Sequence, residues 1–144
     1  MADTVTSQVL ESGFSRWVMK FTNFSDGTGE SGVVKVDATS SGPFGVTIGG
    51  NTVYPGTNLK VTDIWYDISG MVLRIQWKAS SNVDMLVLGG WNQWSLRDKR
   101  AGFQGLVNTM ASGATGSIAF TTHGQTSGSS YTVILEGLLG VPQS

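Results

Sequence analysis

The sequence predicts an all-β domain, a sandwich or barrel of seven to nine short antiparallel strands. Three observations carry that expectation. Charged residues make up only 13% of the 144, and 20 glycines with long Ser/Thr/Asn stretches stand in their place, a composition that disfavours helix. Apolar residues recur with a period of two rather than 3.6. The alternating stretches are short and separated by turn residues, with no long helical pattern between them.

In chain order, residues 1–13 are polar and unpatterned, with only Val9 and Leu10 apolar together. They read as an N-terminal arm ordered by contact or not at all. Phe14 to Phe24 alternates, with Trp17, Met19 and Phe21 on one face, and predicts a strand. Ser25 to Gly32 (SDGTGESG) is a turn cluster, and Val33 to Asp37 a short strand. Ala38 to Gly56 is rich in Gly and Pro, with a weak strand over Phe44 to Ile48 and a hairpin near Gly49-Gly50-Asn51. Ile64 to Trp77 (IWYDISGMVLRIQW) is the best-patterned stretch. Its halves read as two strands, and Ser69-Gly70 between them as a tight hairpin turn. Met85 to Leu88 (MLVL) predicts a strand buried on both faces, broken by Gly89 to Trp94 (GGWNQW). Ser95 to Arg100 is a charge run, and Phe103 to Met110 has room for one helical turn. Thr115 to Thr122 and Tyr131 to Leu135 alternate again, before a short tail over residues 139–144. Residues 14–138 thus read as a single domain of a size that needs no covalent staple.

Function is bounded first by exclusion. The absence of Cys removes a disulfide scaffold, a thiolate zinc site and a Cys nucleophile, and favours folding in a reducing cytosol. A net charge of -1 gives no bulk field for nucleic acid or an anionic membrane. The first ten residues lack a signal-peptide pattern, and no window is long and apolar enough to span a bilayer, so the expectation is a soluble protein. The lone histidine, His123, sits in a Gly/Ser loop without a nucleophile-elbow spelling and reads as a surface residue. No P-loop or dinucleotide spelling occurs. Asp26, Thr28 and Glu30 in DGTGE alternate as calcium ligands do, but the turn reading is favoured over the metal. Asp63, Asp67 and Asp84 are available as a carboxylate pair, with solvated strand edges the preferred reading. No catalytic, cofactor-binding or metal-binding residue is therefore expected. Trp91 and Trp94 remain, as core caps, as anchors of a protein interface, or as stacking platforms for sugar rings, with Arg97, Lys99 and Arg100 as a polar rim.

Three blocks carry a resemblance: FTNFSDGTGESGVVKVD (Phe21 to Asp37), DIWYDISGMVLRIQW (Asp63 to Trp77) and HGQTSGSSYTVILE (His123 to Glu136). In order and spacing they resemble a group of small virion structural proteins of tailed bacteriophages, some of them similar to capsid decoration, or cement, proteins. The resemblance implies a two-sheet antiparallel β-sandwich, jelly-roll-like, made in the host cytoplasm and seated on the capsid surface. It implies the major capsid protein and further copies of the chain, often as a homotrimer, as partners, and no active site. The expected contacts are Thr4, Val5, Val9 and Leu10 in the arm and Trp91, Trp94 and Arg97 in the loop. The alternative expectation is a carbohydrate-binding β-sandwich module on the virion surface.

Overall fold

The computed structural model describes residues 3–12, 16–40, 42–48, 50–95, 106, 108 and 110–138, with the backbone alone at 11, 12, 46–48, 94 and 95. The described residues form nine strands: β1 (Thr4–Ser12), β2 (Arg16–Asp26), β3 (Val33–Val36), β4 (Val46–Ile48), β5 (Asn51–Val53), β6 (Lys60–Trp77), β7 (Val83–Ser95), β8 (Ile118–His123) and β9 (Ser127–Leu138). Every pairing is antiparallel. Hydrogen bonds join seven strands into one sheet, in the order β1-β2-β9-β6-β8-β3 with β7 also on β6, while β4 and β5 form a separate ribbon.

The sheet is organised by β6. One edge of this 18-residue strand carries β7. The other edge carries β9 over Lys60–Ser69 and then β8 over Val72–Trp77. The change of partner falls at Gly70, where φ is +77°. This corrects the hairpin expected at Ser69-Gly70: the chain does not reverse there but bulges and continues. The side chains show why. Ile64, Tyr66 and Ile68 are buried before the bulge, and Met71, Leu73, Ile75 and Trp77 after it. Without the extra residue, a period of two would turn one half of β6 away from the core. The strand opposite is also continuous. Gly89 to Trp94 does not break β7, because Gly90, with φ +71° and paired to Ile68, follows the same bend.

Beyond the bend the sheet curls back on itself. Phe21 of β2 meets Phe120 of β8 edge-on at 5.1 Å, and Phe120 meets Tyr131 of β9 at 5.7 Å. Strands β2 and β8 share no ladder, so this contact nearly closes the sheet into a barrel. Each of these rings is almost fully buried, contributing on the order of 1.5–3 kcal/mol of hydrophobic stabilisation. Trp17 and Phe44 extend the core towards the ribbon, with ring centres 5.7 Å apart.

Three further differences stand beside these. Thr4–Ser12, read as an arm, is the edge strand β1, held by backbone pairing that its unpatterned side chains do not announce. In Met85 to Leu88 only Leu86 and Leu88 are buried and Val87 is 59% exposed, since β7 has a single covered face. Ile118 to Thr122 is buried at every position, where alternation predicts one covered face. The helical turn expected over Phe103 to Met110 lies largely outside the described residues, although Leu106 makes an isolated bridge to Val61.

Candidate functional site

A cleft of about 400 Å³ lies over the second half of β6 and is lined by Arg74, Gln76, Lys78, Thr121 and His123 among others. Alternation places Arg74 and Gln76 on the wetter side of β6, and pairing with β8 brings His123 and Thr121 beside them. The Arg74 guanidinium grips Asp84 with two parallel bonds of 2.9 and 3.0 Å. Gln76 also donates to Asp84, at 3.0 Å, and Thr121 donates to Gln76 at 2.9 Å. Desolvation pushes the Asp84 pKa up, but the bonds from Arg74 and Gln76 and the nearby positive charge outweigh it, so the carboxyl sits below its ordinary range. His123 is exposed, with Nε2 at 3.3 Å from Arg74 Nη1. Its neighbour is thus a cation already bound to the local acid. No nucleophile, base and orienting acid are arranged in line among the described residues around it. Asp63, Asp67 and Asp84 are not brought together either: Asp84 pairs with the far end of β6, and the other two lie in its first half.

The DGTGE turn is held by a network of hydrogen bonds. Asp26 Oδ1 accepts from the Thr28 N–H at 3.0 Å, closing the turn. Asp3 reaches in from the start of β1 and accepts from Ser25 Oγ, Asp26 N and Gly29 N at 2.9, 3.2 and 3.1 Å. Desolvation works against the Asp3 carboxylate, but these donors and Asn23 outweigh it and lower its pKa. Glu30 turns inward. Its carboxylate accepts from Tyr131 Oη at 2.6 Å and Asn23 Nδ2 at 3.0 Å, and forms an ion pair with Lys35. The Glu30 and Lys35 side chains are only 5% and 7% exposed. Among the described residues, no three His, Asp or Glu side chains converge on a cation position.

A third surface combines exposed aromatic rings with polar side chains. On the outer face of the sheet, Trp65 pairs across with Gln93 and Ile134, and Asp67 with Trp91 and Thr132. Trp91 is 80% exposed and Trp65 53%. A cleft of about 240 Å³ is lined by Trp65, Tyr66, Asp67, Trp91 and Thr132. A second of about 110 Å³ lies on the other side of Trp65, against Asp63, Gln93, Ile134 and Glu136. Of the expected loop residues, Trp91 is therefore on a strand with its indole outward. Trp94 is placed only by its backbone pairing to Ile64, and its side chain, like all of Arg97, lies outside the described residues. Trp65 was not singled out in the sequence, and Asp67 only as a member of a possible carboxylate pair. Their signal was present, since Ile64, Tyr66 and Ile68 facing inward sends Trp65 and Asp67 outward.

The other expected contacts lie on β1. Val5 and Val9 pair with Asn23 and Met19, on the inner side of the sheet, yet Val5, Val9 and Leu10 are 43%, 39% and 47% exposed. Thr4 is also exposed, at the start of the strand. On the outer side Thr6 and Thr22 share a hydrogen bond between their hydroxyls. Among the described residues β1 pairs with β2 alone. Its other edge carries no charge or proline from Thr4 to Leu10, and the devices that usually protect such edges, a bulge between Val9 and Glu11 and the Glu11 charge, come only at its end. In comparisons with known proteins, no family model, curated protein or solved structure matches the chain.

Proposed function

We propose that this chain is a structural protein of a tailed-bacteriophage virion, a decoration protein that binds the outside of the head and bridges major capsid protein subunits. The observation that carries this reading is the edge of β1, where Val5, Val9 and Leu10 are exposed along a stretch, Thr4 to Leu10, that carries no charge. Such an edge accepts a strand from a neighbour: backbone bonds supply affinity, and alternate side chains supply selectivity. The resemblance of three sequence blocks to small virion proteins supplies the class of neighbour. Many weak contacts repeated over a shell sum by avidity, so each copy needs little area. In this reading the bend at Gly70 divides the sheet into two layers of a jelly-roll-like sandwich, β1-β2-β9 with the first half of β6 and β3-β8 with the second. Copies of the chain assemble around a shared symmetry axis.

The test adds the purified protein to heads that lack it. Wild type is expected to sediment with heads and to raise the temperature at which they release DNA. Val5→Lys/Val9→Lys is expected to bind at least about tenfold more weakly, the equivalent of ~1.4 kcal/mol for placing ammonium groups at a covered edge, with an unchanged melting temperature of its own. Failure of the wild type to sediment with heads would end this reading.

A further inference from the structure

A second surface points to a ligand of another kind, independent of the edge strand. We infer that the outer face around Trp65 and Trp91 is a binding site for a neutral oligosaccharide laid along β6. Trp65 and Trp91 occupy diagonal positions on adjacent strands, about 7–8 Å apart, where they present two indoles on one sheet face. Exposing large aromatic surface to water is unfavourable, and 80% exposure of Trp91 is the highest among the large apolar side chains described. Beside the rings, Asp67, Gln93 and Thr132 offer a carboxylate, an amide and a hydroxyl that make no side-chain hydrogen bond within the described residues. These groups both donate and accept, as a ligand lined with hydroxyls requires.

The shape narrows the ligand. The clefts, about 240 and 110 Å³, fall below the ~300 Å³ at which pockets begin to enclose a compact organic ligand. Two shallow depressions separated by one indole suit flat units in series, each with an apolar face for a ring and polar edges for neighbouring side chains. Successive outward residues on β6 (Asp63, Trp65, Asp67) are about 7 Å apart, so the depressions follow the strand. The charged groups nearby are Asp63, Asp67 and Glu136, with Arg16 bonded to Glu136 at 2.8 Å, a balance that disfavours an anionic chain.

The full-length protein is applied to an array of neutral glycans. The best ligand is then titrated as its mono-, di- and trisaccharide, followed by tryptophan fluorescence. The expected result is binding that tightens from one unit to two, with Trp91→Ala and Trp65→Ala each weakening it at least tenfold. Val5→Lys/Val9→Lys should leave it unchanged. Both indoles are exposed, so their removal leaves the fold intact, which the melting temperature checks. No binding on the array, binding indifferent to Trp91→Ala, or a fluorescence response confined to choline or a Lys-rich peptide would overturn the inference. Loss of head attachment in Trp91→Ala without any glycan binding would likewise overturn it, assigning the patch to a protein partner. None of these results bears on the β1 edge.

Discussion

At the scale of single residues, Glu30 is the most constrained acid described in a chain where charge is scarce. It takes a hydroxyl, an amide and an ammonium at once, all at low exposure. Removing one member of a buried pair costs more than the pair contributes, because its partner keeps its desolvation penalty. Glu30→Gln is therefore expected to lower stability by about 3–5 kcal/mol, read from urea unfolding. Glu30→Gln/Lys35→Met should recover most of that loss. Tyr131 adds a pH dependence. Burial first, then the Glu30 hydrogen bond and charge, push its phenol far above the ordinary range. A raised phenol pKa stabilises the fold fully below the unfolded value of ~10. That contribution is lost as pH rises above it, since only the unfolded chain then ionises. Urea midpoints measured from about pH 9 to 11 should fall, and Tyr131→Phe should flatten the fall. Little of this cluster was legible in the sequence. Glu30 looked like part of a turn because Lys35 and Tyr131 reach it only through the way β3 and β9 are placed.

At the scale of elements, β6 depends on one glycine. Gly70 has φ +77°, and a Cβ there would lie 2.7 Å from Ser129 Oγ, which itself donates to the Gly70 carbonyl at 3.0 Å. Gly70→Ala is expected to cost about 1–3 kcal/mol. Gly89→Ala, with open space around its Cβ position and no positive φ, should change stability by less than ~0.5 kcal/mol. Chemical denaturation of the two variants side by side checks both expectations. The position of β6, and which side chains it buries, were readable from alternation. Its continuity was not. A phase slip of one residue at a glycine fits a reversing turn and a bulge equally well. What separates them is whether Ile68 faces Met71 or faces strands from elsewhere, and here Tyr131 and Gly90 are its partners. The same limit applied to Gly89-Gly90, read as a break because glycine marks bends and ends alike.

At the scale of the whole molecule, the all-β class followed from composition and periodicity, while closure of the sheet did not. Closure rests on Phe21 meeting Phe120 across 99 residues, and both were visible only as inward-facing aromatics. The candidate surfaces show the same division. Trp91 stood out in the sequence, but as a core cap, an interface anchor or a sugar platform alike, and the pairing that turns it outward and sets Trp65 beside it arises only when β7 returns along β6. The dual partnership of β6 also limits how the gene can drift in length. Deleting or inserting one codon between Ile64 and Trp77 would reverse the facing of every side chain on one side of the change, against ladders fixed on both edges. The turn between β4 and β5 meets no such constraint, so length variation among descendants should collect there.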